Sequence, residues 1–184
     1  MSELSDLVPL PANSSINVGL GSAREDTMLR IFGNPGALGS ECSPPSEAIS
    51  PHLVAGVNVG PLRVSGMRLA VESLKIVFDE LSRDFPLLVP EVKTAGMLCV
   101  RARRHNPAHY SNHSWGTAID LFFGDGVVPQ GRPLCHRGFL DMYRYFNRQG
   151  WYWGAGFSGD SVDSMHLEVA EETMLKWSAH LLIA

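Results

Sequence analysis

The stretch Ser111-Asn112-His113-Ser114-Trp115-Gly116-Thr117-Ala118-Ile119-Asp120 constrains the fold more than any other part of the chain. Together with Asp163-Ser164-Met165-His166-Leu167-Glu168 it supplies two imidazoles and a carboxylate able to hold one metal ion, and a spare carboxylate beside them. Three protein ligands with a fourth position open to water form the ligand set of a catalytic zinc site. His113 and Asp120 are separated by roughly 10 Å on a straight helix, too far to grip one ion. Gly116 breaks the segment between them. A turn there, followed by a strand, folds His113 back beside Asp120. His166 then joins from another strand paired with that one. The ligand set therefore asks for a sheet, with helices supporting it.

The rest of the chain supplies those elements. Residues 117–123 read as a strand in which Ala118, Asp120 and Phe122 face one way and Ile119, Leu121 and Phe123 the other. Residues 165–169 read as another, with His166 and Glu168 on one face. Residues 94–101 look like a buried strand, and Trp151-Tyr152-Trp153-Gly154 begins a further strand or a tight turn. Apolar residues recur at three- and four-residue spacing from Met67 to Leu81, which predicts a helix over 66–83 ended by Phe85-Pro86. Shorter helices are expected over 24–32, 138–149 and 171–182, the last with Met174, Trp177 and Leu181 inward. Residues 1–20, 33–61 and 124–136 are dense in Gly and Pro and read as an irregular arm, a long loop region with room for one strand, and a loop; the last two, with Trp151 and Trp153, are expected to wall the cleft around the metal site. Helices and strands do not alternate regularly. The expected class is α+β, a small antiparallel sheet flanked by helices. Residues 1–59 are expected to pack as arm and loops on a core of 60–184, a single domain overall.

The chain has 184 residues, 45% of them apolar, enough for a globular core. Its formal net charge of −4 argues against nucleic acid as a partner, because phosphate binding needs a concentrated basic surface. The three cysteines, Cys42, Cys99 and Cys135, are too few and too far apart for a disulfide framework, and read as buried small side chains or free thiols. The N-terminus is polar and acidic, without the pattern of a signal peptide, and no apolar run is long enough for membrane insertion. The expectation is synthesis in the cytoplasm.

Asp163 lies three residues before His166, where a carboxylate can take a proton from a metal-activated water and pass it to a leaving amine. Arg101 precedes the metal loop. Its guanidinium is suited either to polarising a scissile carbonyl or to a forked bond with a substrate carboxylate. Arg103 and Arg104 read as solvated or cleft-rim charges. His52, His105, His109, His136 and His180 have no comparable context, with His109 closest to the metal loop. A cysteine hydrolase built on Cys99 or on adjacent Cys135 and His136 is disfavoured, because neighbours on a strand point to opposite faces.

The pattern Ser-x-His-x-x-Gly-x-Ala-x-Asp followed by Asp-x-x-His resembles the D-alanyl-D-alanine carboxypeptidase-like metallopeptidases. That group includes VanY-type and vancomycin-resistance D,D-peptidases and phage L-alanyl-D-glutamate endolysins. The likeness runs from about Gly60 to Trp177. It implies one zinc ion on His113, Asp120 and His166, with Asp163 as base, Arg101 as the carbonyl-polarising arginine and Ser111 at the cleft, hydrogen-bonding substrate. It also implies the α+β fold shared with the Hedgehog signalling domain. Leu167 stands where the family usually has an aromatic, and Asp163 where several relatives use Glu. The implied activity is hydrolysis of peptidoglycan stem peptides, as a D,D-carboxypeptidase or an L-Ala-D-Glu-type endopeptidase, acting on the wall after lysis or non-classical export. A zinc-bearing module of the same shape that binds without turnover is the alternative.

Overall fold

The predicted apolar stripe of the longest helix is buried along its length: Ala70, Val71, Leu74, Val77, Phe78 and Leu81 are all at most 2% exposed. Each large member contributes about 1.5–3 kcal/mol by leaving water, so this helix anchors the core. The computed structural model describes residues 3–181; the expectation for Leu181 concerns a side chain outside those described. In chain order the elements are β1 (Leu7–Pro9), α1 (Glu25–Phe32), β2 (Leu53–Val59), β3 (Leu62–Met67), α2 (Arg68–Asp84), β4 (Lys93–Gly96), β5 (Ala102–Arg103), β6 (Asn106–Tyr110), β7 (Ala118–Phe122), β8 (Leu134–His136), α3 (Gly138–Arg148), β9 (Trp151–Trp153), β10 (His166–Val169) and α4 (Glu171–Leu181). The chain is α+β, with four helices and small antiparallel sheets among the described residues. None of the helices is long and apolar enough to cross a membrane.

The central sheet has the order β4-β7-β10-β9, antiparallel throughout. Ile119 and Leu121 of β7 and Leu167 and Val169 of β10 join the hydrophobic core on one face. The alternate residues, Asp120, His166 and Glu168, lie on the other face. Trp153 of β9 stacks on Phe139 and Tyr143 of α3, and its indole N–H donates to the Ser164 carbonyl at 2.8 Å. A core aromatic thus fixes the loop that leads into β10.

The one strand for which the 33–61 region has room is β2, which pairs with β3 around a turn at Gly60, where φ is +53° and the backbone packs on the Phe78 ring. Other expectations need correction. The strand expected over 94–101 ends at Gly96, where a bulge opposite Asp120 interrupts pairing. The arm and the 124–136 loop contribute β1 and β8, which pair with each other. β5 and β6, unforeseen, form a hairpin turning at Arg104 and His105.

Cys42 and Cys99 are joined in a disulfide, against the reading of isolated thiols. The bond ties the loop before β2 to the segment after β4, where Ser43 and Val100 also form a bridge. Cys135 is free and wholly buried. Burial pushes its thiol pKa up to about 12, and a protonated, enclosed thiol is no nucleophile.

Candidate metal centre

Asp120 and His166 face each other directly across the β7–β10 pair. Directly opposed residues of an antiparallel pair project to the same face at short range, so strand register alone brings imidazole and carboxylate together. His113 arrives differently. Residues Asn112–Trp115 form one 3-10 turn, closed by Gly116 in the left-handed region at φ +65°. A Cβ on Gly116 would lie 2.6 Å from the Gly66 Cα, and the Gly116 carbonyl accepts the Met67 N–H at 2.9 Å. The turn thus needs glycine for both its dihedral and its contact with β3.

His113, Asp120 and His166 come together as a buried group able to hold a metal. His113 Nε2 is 3.2 Å from His166 Nδ1 and 3.3 Å from Asp120 Oδ1, and His166 Nδ1 is 3.2 Å from the same oxygen. Corners of a tetrahedron lying about 2.0 Å from a common centre are about 3.3 Å apart. The three donors therefore fit a single tetrahedral ion.

The outer ring nitrogens are committed elsewhere. His113 Nδ1 lies 2.8 Å from the Met97 carbonyl, which only accepts, so that nitrogen carries the proton and Nε2 turns its lone pair inward. His166 Nε2 donates to Glu168 Oε2 at 2.8 Å, leaving Nδ1 to face the centre. Such outer hydrogen bonds fix tautomer and ring orientation in metal sites. Glu168 is 3% exposed and also accepts from the Ser22 hydroxyl, the Ala23 N–H and the Asn112 amide. Burial pushes its pKa up, but His166, Ser22 and Asn112 together pull it below the ordinary value.

The carboxylate and the imidazoles of the group shift one another's proton affinity. Burial alone would raise the Asp120 pKa, yet the two imidazoles hold it far below the usual carboxylate range. Burial would lower that of His166, but Asp120 and Glu168 outweigh it and raise it to about 10. A metal ion competes for that place and releases the proton.

Asp163 lines the same cleft, and its Oδ1 is buried without a hydrogen-bond partner among the described residues. Burial, foremost, raises its pKa above the ordinary value. Gly154 accepts the Asp163 N–H at 3.0 Å, and a Cβ on Gly154 would meet the Asp163 carbonyl at 2.6 Å. Arg101 is half-buried beside the cleft, and one guanidinium N–H donates to the Ala102 carbonyl. Burial and the charge of Arg104 lower its pKa, against the opposing pull of Asp120 and Asp163. The Ser114 hydroxyl links to both the N–H and the carbonyl of Arg101, tying the arginine to the turn that bears His113. Ser111 is buried at the cleft wall, and its N–H donates to the Arg101 carbonyl.

The cleft encloses about 580 Å³. Its walls differ from those expected. Trp151 and Trp153 are core residues with no exposure, and the 33–61 loops do not reach it. One wall is the β5–β6 hairpin; the other is the 156–163 segment, with Gln130 alone coming from the 124–136 loop. His105 lines the cleft, whereas His109 pairs with Glu25 outside it; the side chain of His180 lies outside those described. Sequence reasoning gave no role to Glu168, Asn112, Ser114 or Ser22. For Glu168 the signal was present: two residues after His166 on a strand, it shares that face.

Residues 104–169 match a protein-family model described as D-alanyl-D-alanine carboxypeptidase. The matched segment carries His113, Asp120, Asp163 and His166, and over it the resemblance read from the motifs holds. No curated protein and no solved structure matches the chain.

Proposed function

We propose that the cleft is the active site of a zinc-dependent peptidase that cuts stem peptides of bacterial peptidoglycan. One observation carries this reading: three donor atoms spaced 3.2–3.3 Å apart, with both outer imidazole nitrogens already engaged. His113, Asp120 and His166 would hold the ion. When bound, zinc lowers the pKa of the water it holds and polarises a carbonyl. Asp163 takes the proton of the attacking water and delivers it to the nitrogen of the leaving amine. The Arg101 guanidinium donates to the oxygen on which negative charge develops. The Ser111 hydroxyl donates to the substrate backbone.

An unpartnered buried carboxylate at Asp163 favours an enzyme over a zinc-bearing binder, which gains nothing from such a group. We assign the fold to the D-Ala-D-Ala peptidase and Hedgehog type on the strength of the family match and the placement of the ligands on sheet and turn. The Cys42–Cys99 bond accords with work outside the reducing cytosol, at the cell wall.

The test is digestion of purified sacculi by the zinc-loaded chain, read by mass spectrometry of the released muropeptides. Fragment masses name the bond, and a chelator should abolish release. Asp163→Asn should keep zinc and lose about 10²–10⁴-fold in kcat. An Asp163→Asn protein as active as the parent, or a parent releasing nothing, would sink the proposal.

A further inference from the structure

Glu168 stands behind His166, and its two oxygens are held from different directions. Oε2 accepts from the His166 ring and from the Asn112 amide, both at 2.8 Å. Oε1 accepts from the Ser22 hydroxyl at 2.6 Å and from the Ala23 N–H at 3.1 Å. Ser22 and Ala23 lie far outside the segment 104–169 that matches the family model. The Ala23 carbonyl in turn accepts from the Asn112 amide at 3.1 Å. The same two residues therefore reach both the strand that bears His166 and the turn that bears His113.

This stretch is fastened on either side of Ser22. Before it, the Asn17 side-chain amide donates to the Trp153 carbonyl at 2.8 Å and accepts the Trp153 N–H at 2.7 Å. It covers the outer edge of β9, the last strand of the central sheet, as a further strand would. Gly21 bonds to α4 through both its N–H and its carbonyl. After Ser22, the Arg24 N–H donates to Glu171 at 2.8 Å, and the Arg24 guanidinium pairs with the same carboxylate. Ser22 itself is exposed at the cleft and is no member of the core.

A carboxylate bonded at one oxygen can still rotate, whereas one bonded at both is fixed. Both protein donors to Oε1 come from this strap. With Oε1 held, Oε2 has one position, and the imidazole that donates to it has one orientation. We infer that Ser22 is a positioning residue of the metal centre. With the Ala23 N–H it sets the Glu168 carboxylate, and through it the His166 ring, in the pose that receives the ion. This rests on the reading of the cleft as a zinc peptidase site. The site is then completed by residues that precede α1, and a core of 60–184 alone lacks them.

The test compares the parent with Ser22→Ala, with Ser22→Thr, which keeps a hydroxyl, and with Ser15→Ala as a control, whose lost hydroxyl bonds to the Ala12 carbonyl. Zinc affinity is read by chelator competition, and coordination geometry by the visible spectrum of cobalt(II) loaded in place of zinc. Ser22→Ala should weaken zinc about tenfold and change the cobalt spectrum, while the melting temperature of the metal-free chain stays that of the parent. Ser22→Thr should restore both readouts, and Ser15→Ala should match the parent. Equal zinc affinity in the parent and Ser22→Ala, a loss that Ser22→Thr does not restore, or a fall in metal-free melting temperature that accompanies the loss overturns the positioning role. Release of muropeptides from sacculi by the parent separates this from the peptidase reading. Zinc held through Ser22 without release defeats the peptidase reading and leaves the strap standing, and a parent that takes up neither ion defeats both.

Discussion

Two residues of the candidate metal centre come from paired strands and the third from a turn, and the two halves are secured by different physics. Asp120 and His166 are placed by β-ladder register, and their far faces are filled by Ile119, Leu121 and Leu167. His113 has no ladder. Its position depends on a left-handed glycine, on the Met97 carbonyl, and on the Cys99 N–H, which donates to the His113 carbonyl at 3.0 Å. Cys99 is tied to the 33–46 loop by the disulfide. Placement by register is distributed over many bonds, whereas placement by a turn rests on a few, so the two halves should fail separately.

The largest effect is expected for Gly116→Ala. The left-handed conformation costs about 1–2 kcal/mol and the clash with Gly66 about 1–3 kcal/mol. The sum, about 2–5 kcal/mol, would appear in urea denaturation. Zinc affinity should collapse while β7 and β10 amides stay protected from hydrogen exchange. If protection is lost along with zinc, turn and sheet are one unit and the distinction fails. Next is removal of the disulfide by paired Cys42→Ser and Cys99→Ser substitution. It closes a separation of 57 residues, and its loss should cost about 2–4 kcal/mol. Calorimetric melting measures this, and zinc competition should show weaker binding through His113. Unchanged zinc affinity would mean that the Met97 carbonyl alone holds the turn. The smallest effect is expected on the strand side, for Glu168→Gln. Loss of the carboxylate behind His166 should weaken zinc about 10–100-fold, read by chelator competition. A weakening as large as that of Gly116→Ala would show that the strand ligand is no more robust than the turn ligand.

What could be read from sequence follows the same division. The convergence of His113, Asp120 and His166 was legible because spacing and a glycine leave few ways to bring them together, and because alternation on short strands states which residues share a face. The α2 stripe was legible because helical periodicity runs unbroken from Ala70 to Leu81. The β2–β3 hairpin was hidden because Gly56 and Gly60-Pro61 resemble a loop when their neighbours across the pair are unknown. The disulfide left no local trace, since its partners are distant in sequence and an odd cysteine count suggests free thiols. The cleft walls were misplaced for a related reason. Gly- and Pro-rich stretches suggest cleft walls, whereas the positive wall lies on the β5–β6 hairpin, with Arg103 on β5 and Arg104 and His105 in its turn.

The pairing of His166 with Asp120 tolerates no slippage, since sliding β10 by one place would turn its imidazole into the core and Leu167 outward. It is indifferent, however, to how much chain runs between the two strands. The stretch between them also carries α3, β9 and Asp163, so the freedom to be lengthened, shortened or exchanged belongs to its largely exposed 124–133 loop, from which Gln130 reaches the cleft. A designer seeking a different substrate would graft new rims there and leave the paired floor of the cleft untouched.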